Sequence, residues 1–380
     1  MSAHIETQVQ TKIDLKQIKK KKINIAIFGH GNVGGKLVDQ IIQEKTEISR
    51  RRNLDINIFA VANSTTVLLN KDGVSPQWKY DKLEQGEEYP ISKIINFAQE
   101  FGLKNLIAID NTASKDFVEN YPLLVQNGFH LVSSNKIGNT KSLDFYQNLR
   151  QELKRYDREY LYETNVGAGL PLIDTIKLLH LSGENITRIK GVFSGSLSYI
   201  FNIFSDSELS FSKVLRSAIA NGLTEPDPRE DLCGNDVGRK LLILARELDL
   251  YNEFEDVTIQ NLIPKELRKV TKEDFLEHIS ELDVPFHIKK KNQAKDHVLR
   301  YVGDLHGDLS EEKGAKLDVQ LVSVPKNSVL GQLKGSDSLF EIYTENYGSS
   351  PIVIQGAGAG AQVTARGVFG DILRLSEKLN

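Results

Sequence analysis

The sequence predicts an α/β protein with a doubly wound parallel sheet, followed by a second, mixed α/β domain. Short apolar, β-branched runs alternate with helical stretches over the first 160 residues, and such alternation is typical of a parallel sheet covered by helices. A chain of 380 residues is also too long for one small core. We therefore expect two domains with a cleft between them.

Polar or glycine-rich residues follow each predicted strand of the first domain. The strands are expected at residues 23–28, 56–62, 106–110 and 130–133. Ligands of doubly wound sheets bind beyond the carboxyl ends of the strands. The residues at these ends that we predict to contact a ligand are Gly29, Asn63, Ser64, Asn111, Thr112, Ser134 and Lys136.

The first strand leads into the pattern GxGxxG, written Gly29-His-Gly-Asn-Val-Gly34, and then into a helical stretch. Glycines allow a tight turn and a close approach to a pyrophosphate, and a helix N-terminus offers free N–H groups. The position between strand and helix predicts a Rossmann-type dinucleotide-binding domain at residues 23–160. Glycines that serve only helix–strand packing are the alternative. The turn's predicted cofactor contacts are Gly29, Gly31, Asn32, Val33 and Gly34.

The end of the second predicted strand lacks the acidic residue that would bind the ribose 2′-hydroxyl of NAD. Asn63 and Ser64 stand there instead. Because an uncharged strand end does not repel a 2′-phosphate, we predict that NADP is the cofactor. Use of NAD as well is left open.

The sequence pattern changes near residue 160, where the alternation of strands and helices meets a glycine-rich segment. A strand from Tyr160 leads through a glycine-rich turn into a helix that begins at Pro171. We place the domain boundary here and predict a substrate-binding, catalytic domain at residues 161–345. Residues 351–375 again suggest strand, glycine turn and helix, so the segment 346–380 is expected to return to the nucleotide-binding domain. Residues 1–22 are predicted to be a polar leader.

Composition excludes several classes of protein. The net charge of -3 gives no electrostatic footprint for nucleic acid. Cys233 is the only cysteine, so an intrachain disulfide and a CxxC metal site are impossible, and a reducing cytoplasm fits best. No apolar run has the length of a signal peptide or a membrane span. We therefore expect a cytoplasmic protein that binds neither nucleic acid nor membrane.

Charged residues are densest at residues 223–240, around two prolines that precede a predicted helix. Glu225 and Asp231 lie in the loop, where their carboxylates suit a cationic group such as an amino-acid ammonium. Asp236 and Lys240 are four residues apart and share one helical face. From spacing alone, a surface ion pair is the commoner interpretation of such a pattern.

The segment Thr-Glu-Pro-Asp-Pro-Arg-Glu-Asp-Leu at residues 224–232, with Asp236 and Lys240 after it, resembles the signature of homoserine dehydrogenases. Residues 134–136, 163–171, 191–201 and 356–365 also resemble motifs of this family, in the family's order. The resemblance extends from about residue 23 to the C-terminus and looks most like the dehydrogenase half of the fused aspartate kinase–homoserine dehydrogenases. It implies an NAD(P)-dependent homodimer that interconverts L-aspartate 4-semialdehyde and L-homoserine in threonine and methionine biosynthesis.

The resemblance also implies roles for individual residues. Lys240 would be the proton donor and acceptor at the substrate oxygen, and Lys136 a second lysine in the cleft. Asp236 would orient Lys240 and the substrate. For Lys136, a structural hydrogen bond to strand ends is the alternative. The remaining implied contacts are Glu225, Asp231, Ser196 and Leu223 with the substrate and Gly358 and Gly360 with the cofactor.

A glycine turn at residues 163–170 resembles the family's monovalent-cation site. Backbone carbonyls suit a hard cation, so Na⁺ or K⁺ is expected at the carbonyl oxygens of Glu163, Val166, Ala168 and Leu170. An ordinary glycine turn is the alternative. The eight histidines are scattered, so no transition metal is expected.

Leu223 departs from the family pattern, because much of the family has tyrosine at this position. The change removes a phenol that could hydrogen-bond near the substrate. Two other functions therefore stay open. One is a dehydrogenase of a related semialdehyde or hydroxy amino acid, and the other is a non-catalytic, nucleotide-sensing paralogue.

Overall fold

The computed structural model describes residues 20–379. Most of the predicted polar leader, residues 1–19, lies outside the described residues, whereas Lys21 and Lys22 already belong to the first strand. The strands, in chain order, are β1 Lys21–Phe28, β2 Leu54–Ala62, β3 Thr66–Leu69, β4 Glu87–Glu88, β5 Leu106–Asp110, β6 Phe129–Ser133, β7 Tyr160–Leu161, β8 Ile186–Val192, β9 Val257–Ile259, β10 His297–Gly307, β11 Ala315–Pro325, β12 Ser338–Thr344 and β13 Ile352–Gly356.

The helices separate and cover these strands. They are α1 Asn32–Arg52, α2 Trp78–Gln85, α3 Ile91–Glu100, α4 Lys115–Val118, α5 Tyr121–Gln126, α6 Ile137–Thr140, α7 Leu143–Arg155, α8 Leu172–Leu181, α9 Gly195–Asp206, α10 Phe211–Ala220, α11 Arg229–Leu232, α12 Asn235–Glu247, α13 Lys272–Glu277, α14 Asp283–Lys291, α15 Val329–Gln332 and α16 Ala361–Lys378. Short 3₁₀ helices lie at Glu163–Asn165, Phe254–Asp256, Lys265–Leu267 and Ile279–Leu282. No helix within residues 20–379 combines the length and apolar composition that crossing a bilayer requires.

The first sheet has the strand order β4-β3-β2-β1-β5-β6-β7. Its central strands run parallel, and β1 lies between β2 and β5, so the direction of winding reverses at β1. The predicted doubly wound sheet is confirmed. The sheet also has an edge that the sequence analysis missed, where β3 and β4 pair antiparallel.

Strand β1 is buried on both faces, which explains its continuous apolar sequence. Ile23, Ile25 and Ile27 pack into one apolar cluster with α1 and α16. Ala26 and Phe28 point into a second cluster on the opposite face. Helices therefore cover both sides of the strand whose carboxyl end carries the glycine motif.

The second sheet is mixed and has the order β13-β12-β8-β10-β11-β9. Strand β9 runs parallel to β11, and the other neighbouring strands pair antiparallel. Helices α9 and α12 pack on its inner face. The outer face has a smaller apolar cluster that includes Leu330 of α15. The predicted mixed α/β architecture is confirmed.

The C-terminal segment joins the two sheets. Helix α16 packs on α1, and Gln40 donates a hydrogen bond to the carbonyl of Gln362 at 3.2 Å. The helix thus packs against the first sheet, whereas β13 pairs with β12 in the second sheet. The prediction was wrong for this strand, because Ile352 and Ile354 extend the apolar inner face of the second sheet.

Candidate active site

A crevice lies between the carboxyl ends of β1 and β5, where the winding of the first sheet reverses. Gly29 has φ of 81°, and a Cβ there would lie 2.9 Å from the backbone of Asn111. A Cβ at Gly34 would collide with the Gly29 carbonyl, so α1 can begin this close to β1 only with glycine. A Cβ at Gly31, the N-cap of α1, would meet open space. Asn32 and Val33 form the first turn of α1.

A cavity of about 710 Å³ opens in front of this turn. It is lined by residues from both sides of the crevice, including Gly29, Gly31, Asn63, Ser64 and Thr112. Beside the turn, Asn111 accepts a hydrogen bond from Ser134 at 2.9 Å. The Nδ2 atom of Asn111 is buried and has no hydrogen-bond partner within residues 20–379. An open glycine turn, a cavity and an unused amide donor fit a dinucleotide.

Asn63 shapes the chain after β2. Its side-chain oxygen accepts hydrogen bonds from the backbone N–H groups of Thr65 at 3.0 Å and Thr66 at 2.7 Å. This oxygen is therefore used by the turn. The Ser64 hydroxyl and the Asn63 amide hydrogens are the polar groups from the end of β2 that are available to a ligand in the cavity.

A buried polar network supports the ends of β5 and β6. Asp110 accepts hydrogen bonds from Tyr121 at 2.7 Å, Asn135 at 3.0 Å and the backbone N–H of Thr112 at 2.7 Å. Burial raises the pKa of the Asp110 carboxyl, although these hydrogen bonds favour its charged form. The side chain of Asn135 also accepts from the N–H of Ile137 at 3.0 Å. The network fixes the turn that carries Lys136, the N-cap of α6.

Lys136, Asp236 and Lys240 lie together between the two sheets. Asp236 Oδ2 lies 2.8 Å from Lys240 Nζ, and Asp236 Oδ1 lies 3.3 Å from Lys136 Nζ. Burial alone would raise the pKa of the Asp236 carboxyl, but the charges of the two lysines outweigh it and hold the pKa well below its ordinary value. The side chain of Lys240 is only 10% exposed. The lysine of this pair is therefore buried, whereas the side chain of Asp236 is 43% exposed.

The start of α12 determines where this carboxylate and lysine lie. Gly234 precedes the helix with φ of 78°, and a Cβ there would collide with the hydroxyl of Tyr301. The helix therefore begins against β10. Asp236 and Lys240 follow on one helical face, and Lys240 donates a second hydrogen bond to the carbonyl of Phe193 at 2.7 Å.

The carboxylate of Asp231 holds the loop that precedes α12. Ser196 donates a hydrogen bond to Asp231 Oδ1 at 2.5 Å, and the backbone N–H of Glu225 donates to Asp231 Oδ2 at 2.8 Å. Burial raises the pKa of the Asp231 carboxyl, and the charges of Glu225 and Asp236 raise it further. Both oxygens of Asp231 are thus engaged in holding the loop, whereas the side chain of Glu225 is exposed.

Leu223 lies at the start of the same loop. Its side chain is half-buried and packs on the main apolar cluster, and its backbone N–H donates to the carbonyl of Ala218 in α10 at 3.0 Å. In the structure, Leu223 therefore contributes a packing contact to this cluster.

The turn at residues 163–170 leads from β7 into α8. Gly167 and Ala168 adopt positive φ values of 82° and 52°. The carboxylate of Glu163 accepts hydrogen bonds from the N–H groups of Ile173 at 2.7 Å and Asp174 at 3.0 Å. It therefore caps α8 instead of remaining free for a ligand.

Other oxygen atoms of this turn are unused. No donor within residues 20–379 bonds the carbonyl oxygens of Val166 or Ala168, and the buried hydroxyl of Thr164 has no partner there either. The Leu170 carbonyl accepts from Leu172 at 2.9 Å, and that of Glu163 accepts a long bond from Val166 at 3.4 Å. Unused oxygens in a buried turn fit a hard monovalent cation.

The C-terminal glycine turn lies between the second sheet and α16. Gly358 packs so closely on Ser338 that a Cβ would collide with its hydroxyl. Gly360 is the N-cap of α16 with φ of 118°. Gly195, at the start of α9, would bring a Cβ within 3.6 Å of Ala359. The turn therefore adjoins the helix that carries Ser196, and its contact with a cofactor stays a prediction.

Sequence analysis missed two basic residues, one that lines the cavity and one that lies near it. His30 lines it between the two glycines, and Lys82 of α2, whose charge acts on His30, donates a hydrogen bond to the hydroxyl of Thr66, two residues after Ser64. His30 could have been recognised from its position inside the glycine motif. Lys82 gave no signal, because its helix reaches the crevice only through tertiary packing.

Known proteins share both parts of this architecture. Residues 171–373 match the family model described as homoserine dehydrogenase, and residues 29–163 match the model described as its NAD-binding domain. The chain is 33% identical over 371 residues to the homoserine dehydrogenase of Schizosaccharomyces pombe, an alignment covering 95% of this chain and 97% of that protein.

Two further comparisons differ in coverage and in what they support. Bifunctional aspartokinase/homoserine dehydrogenase 1 of Arabidopsis thaliana is 37% identical over 363 residues, and the alignment covers 94% of this chain but 39% of that relative. A solved hyperthermophilic archaeal homoserine dehydrogenase in complex with NADPH aligns with a TM-score of 0.69 at 24% identity, over 94% of this chain and 99% of that one. Because its sequence identity is only 24%, the archaeal structure supports the fold alone.

The glycine crevice and the adjoining cluster of lysines and carboxylate are features of an NAD(P)-dependent oxidoreductase, and the family matches establish this class. The chain belongs to the homoserine dehydrogenase family.

Proposed function

We propose that this protein catalyses the reversible reduction of L-aspartate 4-semialdehyde to L-homoserine with NADPH, a step of threonine and methionine biosynthesis. The observation that carries the proposal is the cluster in which Asp236 contacts Lys240 at 2.8 Å and Lys136 at 3.3 Å. It lies beside the loop of Glu225 and Asp231, so proton-transfer groups and an ammonium site adjoin one another.

Lys240 is the proton donor in this proposal. A lysine ammonium has three N–H groups, and two of them bond the carbonyl of Phe193 and the carboxylate of Asp236. The third N–H remains for the substrate oxygen. A bound nicotinamide supplies the hydride for carbonyl reduction. Lys240 stabilises the developing alkoxide charge and donates the proton that completes the alcohol.

Lys136 and Asp236 position this donor. Lys136 adds a second positive charge near the substrate oxygen, and Asp236 holds both ammonium groups on one side of the cleft. Since Lys136 lies in the turn after β6 of the first sheet and Asp236 lies on α12, their ion pair also connects these two elements at the site.

Glu225 binds the substrate ammonium, and Asp231 holds the loop. The assignment follows from their surroundings, because both oxygens of Asp231 already accept hydrogen bonds whereas the carboxylate of Glu225 is exposed. Ser196 contributes through its bond to Asp231. Leu223 lines the entrance to the loop in this arrangement.

NADP is the proposed cofactor. Asn63 and Ser64 place no carboxylate at the end of β2, and the cation of Lys82 is only 8% exposed beside them. A buried cation next to an uncharged strand end suits a 2′-phosphate better than a free hydroxyl. Asn111, Thr112, Ser134, Gly358 and Gly360 are assigned to the rest of the cofactor as predicted contacts.

A monovalent cation at residues 163–170 is part of the proposal. The unused carbonyl oxygens of Val166 and Ala168 and the unpartnered Thr164 hydroxyl support it. The Glu163 and Leu170 carbonyls complete the predicted set. Na⁺ or K⁺ there holds the turn between β7 and α8 and takes no part in hydride transfer.

We also propose a homodimer formed through the outer face of the second sheet. This face carries both signs of charge, including an ion pair of Arg188 with Asp304 and one of His306 with Asp318 at 2.8 Å. A face with both signs can pair with a copy of itself across a two-fold axis. Light scattering coupled to size exclusion measures the mass that this proposal predicts.

Oxidation of L-homoserine tests the proposed substrate against the alternatives. NADP⁺ reduction is measured with L-homoserine, L-serine and L-threonine as separate substrates. The proposal predicts the highest kcat/KM with L-homoserine. A higher value with another hydroxy amino acid would indicate a related dehydrogenase, and no turnover with any of them would indicate a non-catalytic paralogue.

A further inference from the structure

His30 occupies an unusual position in the glycine turn. Its side chain lines the cavity together with Asn63 and Ser64 and lies edge-on to the buried ring of Trp78, with ring centroids 5.5 Å apart. The Nε2 atom is buried and has no hydrogen-bond partner within residues 20–379. A buried ring nitrogen without a partner is costly unless a ligand supplies one.

The charges around His30 are predominantly positive. Burial lowers the pKa of His30, and the charge of Lys82 lowers it further, with a smaller contribution from Lys79. Burial also lowers the pKa of Lys82. The pKa of His30 is thus lowered by positive charge as well as by burial, and that of Lys82 by burial alone.

The acidic groups near His30 either bind other partners or belong to another part of the cavity lining. Asp39 of α1 accepts from Trp78 at 2.9 Å and pairs with Lys79 at 3.4 Å. Asp81 of α2 accepts from Ser75 at 2.5 Å. Asp116 of α4 lines the same cavity but is not among the groups that shift the pKa of His30.

We propose that His30 takes up a proton when the 2′-phosphate of NADP(H) binds beside Asn63 and Ser64, so that selectivity for NADP(H) over NAD(H) increases as the pH falls. The inference rests on the proposed cofactor and goes beyond it by making His30 a pH-dependent specificity residue. The phosphate supplies the acceptor that Nε2 lacks and the negative charge that Lys82 lacks.

Linkage fixes the sign of the effect. The pKa of His30 is lowered in the free protein, and a phosphate beside it raises this pKa in the complex. The extra affinity is fully present below the free-protein pKa and is lost as the pH rises through the pKa of the complex. Each unit by which the two pKa values differ corresponds to about a tenfold change in affinity across this window.

Adenosine 2′,5′-bisphosphate and 5′-AMP are suitable probes, because they differ only in the 2′-phosphate and need no turnover. Calorimetric titrations between pH 5.5 and pH 8.5, in buffers of different ionisation enthalpy, give both the Kd and the number of protons taken up. The variants are His30→Gln and, as a histidine control, the exposed His278→Gln. The 2′-phosphate itself titrates near pH 6, but it does so equally in wild type and variant.

The proposal predicts that wild type and His278→Gln take up more protons with the bisphosphate than His30→Gln does, by up to one proton. The Kd of the bisphosphate should weaken about tenfold more from low to high pH in wild type than in His30→Gln. With 5′-AMP the three proteins should behave alike. Equal proton uptake in wild type and His30→Gln overturns the proposal.

A further variant, Lys82→Met, separates this inference from the proposed cofactor. If Lys82→Met weakens bisphosphate binding and His30→Gln leaves its pH dependence unchanged, NADP remains the cofactor and only the role of His30 fails. If wild type binds both probes equally, the 2′-phosphate site itself fails. Should His30→Gln not fold, His30→Asn gives the same comparison.

Discussion

Asp236 and Lys136 form an ion pair, with Oδ1 and Nζ 3.3 Å apart, although Lys136 lies in the turn after β6 of the first sheet and Asp236 lies on α12, which packs on the second sheet. The other oxygen of Asp236 contacts Lys240 at 2.8 Å. One carboxylate therefore aligns two ammonium groups at the boundary between the nucleotide crevice and the acidic loop. This relationship determines the chemistry that we assign to the cleft.

Replacement of Asp236 by Asn should lower kcat with little change in cofactor KM. The variant leaves the two lysines without their shared counter-charge, so that they repel each other and Lys240 loses its orientation. Steady-state kinetics of Asp236→Asn measure the effect, and Asp206→Asn serves as a control because Asp206 pairs with Lys334 elsewhere. Near-normal kcat in Asp236→Asn would rule out the positioning role.

Replacement of Glu225 by Ala should raise KM for the amino-acid substrate and leave cofactor KM unchanged. The exposed carboxylate of Glu225 is the group proposed to bind the ammonium. Its loss costs on the order of 1.5–3 kcal/mol, or roughly ten- to a hundredfold in KM. The neighbouring Glu230→Ala is a matched control. A rise in cofactor KM instead would place this loop at the nucleotide.

Replacement of Lys82 by Met should weaken NADPH binding and leave NADH binding unchanged. The loss of a charge-assisted hydrogen bond to phosphate is worth about 1.5–3 kcal/mol, roughly ten- to a hundredfold in Kd. Lys79→Met is the matched control, since Lys79 lies on the same helix but is 67% exposed and pairs with Asp39. Equal losses for both nucleotides would argue against a 2′-phosphate site at Lys82.

Replacement of Leu223 by Tyr should improve kcat/KM for homoserine. The gain in transition-state free energy should be that of about one hydrogen bond, roughly 0.5–1.5 kcal/mol. Tyrosine restores the phenol that much of the family has at this position. Because Leu223 also packs on the apolar cluster, kcat/KM and thermal stability are measured together. Lower activity at unchanged stability would contradict the prediction and indicate a different natural substrate.

Local sequence patterns predicted much of the fold. The strand at Leu106–Asp110 is confirmed at both ends, because a buried parallel strand is a continuous apolar run bounded by polar residues. Strands β3 and β4 were missed, since four and two residues are too short to show a period. Strand β13 has the predicted form, but its partner strand is set by tertiary packing.

The candidate site was predictable only in part. Spacing placed Asp236 and Lys240 on one helical face, yet it could not distinguish a surface pair from a pair of which the lysine is buried. Contacts between distant segments, such as Lys240 with the carbonyl of Phe193 and Lys82 with Thr66, leave no local pattern. The roles of the site residues, the cation, the homodimer and the cytoplasmic location remain predictions.

The most direct test of the central claim is NADPH oxidation with L-aspartate 4-semialdehyde by wild type and Lys240→Ala. We expect wild-type turnover and a loss of roughly 10²-fold or more in kcat for the variant, with unchanged affinity for NADPH, because the missing N–H acts mainly in the transition state. The exposed Lys213→Ala should match wild type. Turnover by Lys240→Ala at the wild-type rate would contradict the account.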